Sequence, residues 1–241
     1  FSGSGTTYTF DLTPSGQGVV TVDIAAGVAS DTAGNLNTVA TQLTRTYDSV
    51  QPSVIISSLA PVTTKTSPIP ISITFNESVT GFVVGDLTLG NGTASNFSGS
   101  GAGYSFDLTP TTEGAVTIDI AAGVASDAAG NLNTVATQLT RTYDSIAPTV
   151  AISSPTSSSI TTGSDNTYTV TYTGASAVTL ASGDITLNKT SSSDCASVSI
   201  TGTGAVTRTV TLTNCTGGGT VGITIAASSA SDAAGNVTLA A

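Results

Sequence analysis

"FSGSGTTYTFDLTPSGQGVVTVDIAAGVASDTAGNLNTVATQLTRTYDS", residues 1–49, decides the fold because it is said twice. It returns at 97–145 as "FSGSGAGYSFDLTPTTEGAVTIDIAAGVASDAAGNLNTVATQLTRTYDS", identical at 40 of 49 positions and offset by 96 residues. A third, divergent copy follows. "DLTLGNG" at 86–92 resembles "DITLNKT" at 184–190, and "GAVTIDIAAGVASDAAGN" at 114–131 resembles "GTVGITIAASSASDAAGN" at 219–236. A fixed long period is the mark of tandem structural units. Asn131 and Asn236 are 105 residues apart, so the third copy carries a short insertion.

Within one period the apolar residues alternate. Ile69, Ile71, Ile73 and Phe75 are separated by Pro70, Ser72 and Thr74. Tyr104, Phe106 and Leu108 alternate with Ser105, Asp107 and Thr109, and Val116, Ile118 and Ile120 with Thr117 and Asp119. Successive strand side chains point to opposite faces, so a period of two marks strands with one buried face. The pattern predicts strands at 53–58, 69–76, 83–90, 93–98, 103–109, 115–121 and 136–143. "NG" at 91–92 reads as a hairpin turn, and "GSGAG" at 99–103 as a turn between strands. Seven short strands in one period predict an antiparallel two-sheet sandwich of immunoglobulin type. A β-solenoid is the structural alternative, but its repeats are far shorter.

The fold class is therefore all-β, with immunoglobulin-like sandwich units arranged end to end. The divisions are 1–49, the C-terminal half of a unit; 50–145, a complete unit; and 146–241, a divergent unit without a full final strand. On this reading the chain is a window on a longer array. "YDSVQP" and "YDSIAP" mark the boundaries, and each is too short for a floppy linker. Pro52 and Pro148 fix φ there and disfavour helix before them.

Composition narrows the function. The net charge of −10 speaks against nucleic acid or anionic membrane as a partner held by bulk electrostatics. No apolar run is long enough to span a bilayer. There is no histidine, which removes Ser–His and Cys–His nucleophile pairs. Paired carboxylates could still act on glycosides. However, Asp11 recurs as Asp107, Asp23 as Asp119 and Asp31 as Asp127, and a catalytic pair has no reason to recur in every unit. The reading is not an enzyme.

"ITFNESVTGF", "GDLTLGNGTASNFSGSG", "VTIDIAAGVASDAAGNLN" and "TRTYDSIAPTV" resemble the bacterial Ig-like repeats of very large surface proteins of biofilm-associated and adhesin type. The resemblance covers essentially the whole chain. It implies an extracellular, cell-surface location and a structural role as a shaft or spacer. The partners it implies are neighbouring units of the same chain and other copies in a fibre. Two alternatives stay open: direct binding of a glycan or protein ligand, and a filament whose half-units complete one another between chains.

The thrice-recurring "ASDAAGN" (125–131 and 230–236; "ASDTAGN" at 29–35) has two readings. Asp and Asn close turns through their side chains, and Gly130 supplies positive φ, so the phrase can be a turn repeated with the fold. Some bacterial Ig-like arrays of the family it resembles hold Ca²⁺ at their junctions, and strand order puts this loop at the pole where the chain comes in. The candidate Ca²⁺ ligands are then Asp48, Glu77, Asp127 and Asn131 at the first junction, and Asp144, Asp232 and Asn236 at the second. The counterpart of Glu77 falls in "TYTGAS", which has no acid, so the first junction is expected to bind better. Cys195 and Cys215 flank a hairpin predicted over "ASVSITGTGAVTRTVTLTN" and read either as a disulfide or as two buried thiols. Tyr47 and Tyr143 read as residues packed at unit ends rather than as a ligand cage. Lys65 and Lys189 occupy no repeated strand position, which argues against side-chain isopeptide bonds.

Overall fold

The computed structural model describes residues 1–157 and 162–241. Helical structure among them is limited to two short 3-10 turns, Val84–Asp86 and Ser182–Asp184. Residues 1–49 form two separate antiparallel pairs, β1 (Ser2–Ser4) with β2 (Thr7–Thr9) and β3 (Gly18–Val22) with β4 (Leu43–Tyr47).

The next seven strands are β5 (Val54–Ser57), β6 (Thr63–Thr64), β7 (Ile69–Val79), β8 (Leu87–Gly90), β9 (Gly92–Pro110), β10 (Gly114–Ile120) and β11 (Leu139–Tyr143). They make two sheets, ordered β5-β7-β9 and β6-β11-β10-β8. All pairings are antiparallel except β6 with β11. The alternation in sequence becomes alternation in burial: Ile69, Ile71, Ile73 and Phe75 point inward while Pro70, Ser72 and Thr74 face out. Val116, Ile118 and Ile120 meet them from the other sheet in one core. Full burial of one such side chain contributes about 1.5–3 kcal/mol. Phe75, Phe82, Phe97 and Tyr104 cluster edge-to-face and stacked, with ring centres 5.0–6.0 Å apart.

Three details differ from the sequence pattern. The strands expected at 93–98 and 103–109 are arms of one run, β9, which doubles back at Gly101 (φ 61°) so that Ser98 Oγ and Ser105 Oγ lie 3.4 Å apart. The strands expected at 83–90 and 136–143 are shorter. Asp86 accepts the Val83 N–H and holds residues 84–86 in a 3-10 turn, while Ala136 reaches Ile120 by a single backbone bond outside the ladder. Asn91–Gly92 is not a hairpin turn. It carries the chain from one sheet to the other, because β8 pairs with β10 and β9 with β7. Asn91 takes φ 55° there, and its side chain bonds to Thr112 and to the Ala115 carbonyl.

The third stretch contains β12 (Thr149–Ile152), β13 (Ser164–Thr173), β14 (Ala177–Val178), β15 (Ile185–Lys189), β16 (Ser197–Thr201), β17 (Thr207–Cys215), β18 (Val221–Ile225) and β19 (Ala230–Ser231). Its main sheet is ordered β12-β13-β17-β16, flanked by the pairs β15-β18 and β14-β19. A second core gathers Tyr168, Val170, Tyr172, Val210, Leu212 and Ile225. Asp184 accepts the Ala181 N–H just as Asp86 accepts that of Val83, so the repeat extends to its turns. The architecture is an immunoglobulin-like β-sandwich.

Candidate functional site

The recurring phrase is a closed turn. Asp127 Oδ1 accepts the N–H groups of Ala129 (2.8 Å) and Asn131 (2.9 Å), and Oδ2 accepts the Asn131 side-chain amide (2.9 Å). The backbone closes the same loop, from Asp127 N–H to Asn131 O, with Gly130 at φ 92°. Asp31 with Asn35, and Asp232 with Asn236, repeat the arrangement.

At two of the three copies the Asn does more. Asn131 Nδ2 also donates to the main-chain carbonyl of Asp48 (3.2 Å), and Asn236 Nδ2 to that of Asp144 (2.9 Å). Each linker is thereby bound to the unit that follows it. The next linker residue is bound to the unit before. Ser49 N–H donates to Gln17 Oε1, and Gln17 Nε2 to Ser49 Oγ. Ser145 donates both its N–H and its hydroxyl to the Glu113 carboxylate. The linker Asp closes on itself, with Asp48 Oδ1 accepting Val50 N–H and Asp144 Oδ1 accepting Ile146 N–H. Lys65 Nζ adds a bond to the Gly235 carbonyl across the second junction.

The first junction also brings three acids together. Carboxylate oxygens of Asp48, Glu77 and Asp127 lie within 4.8 Å of one another, with Asp127 buried and the other two half-buried. Asn131 meets this group through its amide nitrogen, which donates a proton, and not through its oxygen. The second junction holds Asp144, Asp232 and Asn236 near the linker, and no third acid joins them among the described residues. Hydrogen bonds from Asn131, outweighing partial burial, hold the Asp127 carboxyl below the ordinary value. Burial pushes Asp232 up, but the bonds from Asn236 and the turn backbone outweigh it, and the net direction is down.

Sequence reading missed Asn133. It is 1% exposed, its oxygen accepts the Val124 and Ala125 N–H groups, and its nitrogen donates to the Ala121 and Thr134 carbonyls. All four of its hydrogen-bonding positions are used, which fixes the loop carrying Asp127. Its recurrence as Asn37 was the available signal. Cys195 and Cys215 are joined in a disulfide at the end of the β16–β17 hairpin. Tyr143 packs on the middle core, whereas Tyr47 is exposed. Lys189 pairs with Asp194 at 3.1 Å. No helix among the described residues is long and apolar enough to cross a membrane.

The fold defines a protein built on an immunoglobulin-like β-sandwich. Residues 48–143 match the family model of the bacterial Ig-like domain. No curated protein and no solved structure matches the chain. Domains of this family are modules of surface proteins, typically extracellular and typically non-enzymatic.

Proposed function

We propose that the chain is a spacer segment in the shaft of a large secreted or cell-surface bacterial adhesin or fibre, with its units joined by stiffened linkers. The observation that supports this reading is the pair of clamps, Asn131 on Asp48 and Asn236 on Asp144, which recur at linkers 96 residues apart. With a serine bound to the preceding unit beside it, each linker loses torsional freedom on both sides. A spacer needs that property, since a freely hinged chain does not hold a distal domain at a distance. Tandem units of this kind draw their stability from local and nearest-neighbour contacts.

Calcium stiffens the first junction on this reading. The donor set there is all hard oxygen, three carboxylates with main-chain carbonyls nearby, and Ca²⁺ takes six to eight such oxygens. Asp127 already accepts three hydrogen bonds, so it has fewer lone pairs left than Asp48 and Glu77. When bound, the cation offsets the mutual repulsion of the three acids.

The test uses the full chain with spin labels on either side of each linker and a parallel thermal melt. Narrow inter-unit distance distributions in metal-free buffer support the spacer reading, while distributions as broad as those of a flexible tether refute it. A calcium-dependent rise in melting temperature that Glu77→Gln removes supports the metal. An unchanged melt refutes the metal and leaves the spacer standing on its distances.

A further inference from the structure

We propose that the sandwich of residues 146–241 carries, beside Arg208, a groove that binds a carboxylate-bearing sugar, a hexuronic acid unit of an acidic polysaccharide. The inference does not depend on the spacer reading. It starts from what fills the same end of the middle sandwich, where Phe75, Phe82, Phe97 and Tyr104 pack ring on ring. Strand register gives their counterparts. Arg208 and Val210 face Val170 and Tyr168 as Tyr104 and Phe106 face Ile73 and Ile71. Tyr172 faces Val150 as Phe75 faces Val54. Leu180 and Phe82 each precede the residue whose N–H closes a 3-10 turn. Ile200, opposite Val210, stands where the middle hairpin has Phe97. Three of the four rings are thus replaced, and only Tyr172 remains aromatic. At this end lies a groove of about 470 Å³ whose lining includes Thr179, Leu180, Ser182, Val198, Ile200 and Arg208.

Arg208 sits half-buried at an inward position of β17, in line with the buried Val210 and Leu212. A guanidinium placed there loses water and needs partners. Its Nη1 donates to the Gly204 and Thr207 carbonyls and its Nη2 to that of Val178. Arginine has five N–H donors, so Nε–H and one N–H of Nη2 are left over. No carboxylate neutralises the charge. The only ion pair among the described residues is Lys189 with Asp194, and Asp184, in the adjoining turn, accepts the Ala181 N–H. A carboxylate is the anion that suits planar, charged donors of this kind. The net charge of −10 repels anions at a distance, so binding rests on direct contact with this one group. The rest of the lining selects the body that carries the carboxylate. Hydroxyls of Thr179 and Ser182 stand beside the aliphatic surface of Leu180, Val198 and Ile200. A pyranose ring matches both, with hydroxyls at its rim and C–H groups on its faces. An acidic amino-acid side chain has no hydroxyls to offer.

The test is an NMR titration of the full, isotope-labelled chain with glucuronic acid, and separately with glucose, acetate and N-acetylglutamic acid amide. Saturable shifts at Ile200, Gly202 and the Arg208 Nε–H are expected with glucuronic acid, and binding about ten-fold weaker or less with the other three. Equal binding of acetate overturns the proposal, because the groove then takes any small anion. Tighter binding of the glutamate derivative overturns it in favour of a peptide. No shift with any probe overturns it too, and leaves Arg208 as a strut for three carbonyls. Arg208→Lys is expected to weaken binding by about ten-fold or more, since lysine lacks the planar donor pair. Arg208 also ties Val178 to the hairpin, so a second variant leaves it in place. Ile200→Phe refills the groove with the residue of the middle unit, and is expected to lose binding while keeping its melting temperature. Unchanged affinity for glucuronic acid in Ile200→Phe places binding elsewhere and overturns the proposal.

Discussion

Asn131 donates one side-chain amide group to two acceptors, the carboxylate of Asp127 at 2.9 Å and the main-chain carbonyl of Asp48 at 3.2 Å, which lies 83 residues earlier. The first bond closes a turn and the second fastens a linker. Asn35 makes the first bond alone, to Asp31. Asn131→Ala is therefore expected to cost about 1–2 kcal/mol, at roughly 1 kcal/mol per net hydrogen bond, and Asn35→Ala less. Urea unfolding measures the cost. Amide exchange at Val50 and Thr134, whose N–H groups bond at the linker and to the Pro52 carbonyl, measures the loosening. Equal exchange in Asn131→Ala and wild type would show that the clamp does not hold the linker.

Asn133 and Asn37 allow the same substitution to be made in two surroundings. Both accept two N–H groups and donate to two carbonyls, but Asn133 is buried and Asn37 is only half-buried. Asn133→Ala leaves buried backbone groups unpaired, and the expected loss is about 2–4 kcal/mol. At Asn37 water replaces the lost partners, and a loss below about 1 kcal/mol is expected. Denaturant midpoints of the two variants decide it, and equal shifts would refute the burial argument.

Those two asparagines also mark how far the sequence could be read. Alternation was enough to find the core strands, because a period of two has one physical meaning: Ile69 to Phe75 are buried at every second position. It could not find β6, two residues long and parallel to β11, because so short a pairing leaves no period. It could not find the burial of Asn133 either, since a polar residue in a loop is usually wet and only the four backbone groups around it say otherwise. The trio Asp48, Glu77 and Asp127 was legible from topology alone, which brings the linker, the end of β7 and the long loop before β11 to one pole. Phe10 and Phe106 set the limit of any such reading. Their sequence neighbourhoods are nearly the same, yet burial follows from the half-sandwich opposite.

The acid response of the turns has a definite sign. The Asp127 carboxyl is held below its ordinary value of 3.8, first by the Asn131 side chain. A depressed carboxyl contributes stability that is fully present above the unfolded value and is lost as pH falls through the lower folded value. Carboxyl NMR titration is expected to place the Asp127 midpoint below 3.8 in the wild type and nearer to 3.8 in Asn131→Ala. The part of the acid destabilisation that comes from this carboxyl should then shrink in the variant, because its folded and unfolded values come closer together. A midpoint that does not move would mean the backbone N–H groups of Ala129 and Asn131 suffice.

The Cys195–Cys215 bond spans 20 residues of sequence and closes the base of the β16–β17 hairpin, next to the Asp194–Thr216 bridge. Cys215 lies in the second core, and Cys195 packs against it half-buried. Cross-linking restricts the unfolded chain, and a loop of this length contributes about 3 kcal/mol. Since each 1 kcal/mol moves the midpoint of a domain this size by roughly 4–8 °C, reduction is expected to lower the melting of residues 146–241 by about 12–24 °C. The middle core contains no cysteine, so its transition is expected to stay where it is. Calorimetry of the full chain with and without a reducing agent, with thiol titration to verify reduction, separates the two transitions. If the melt is unchanged while two thiols titrate, the hairpin is held by its ladder and by Tyr168, Val210 and Leu212, and the cross-link adds nothing to stability.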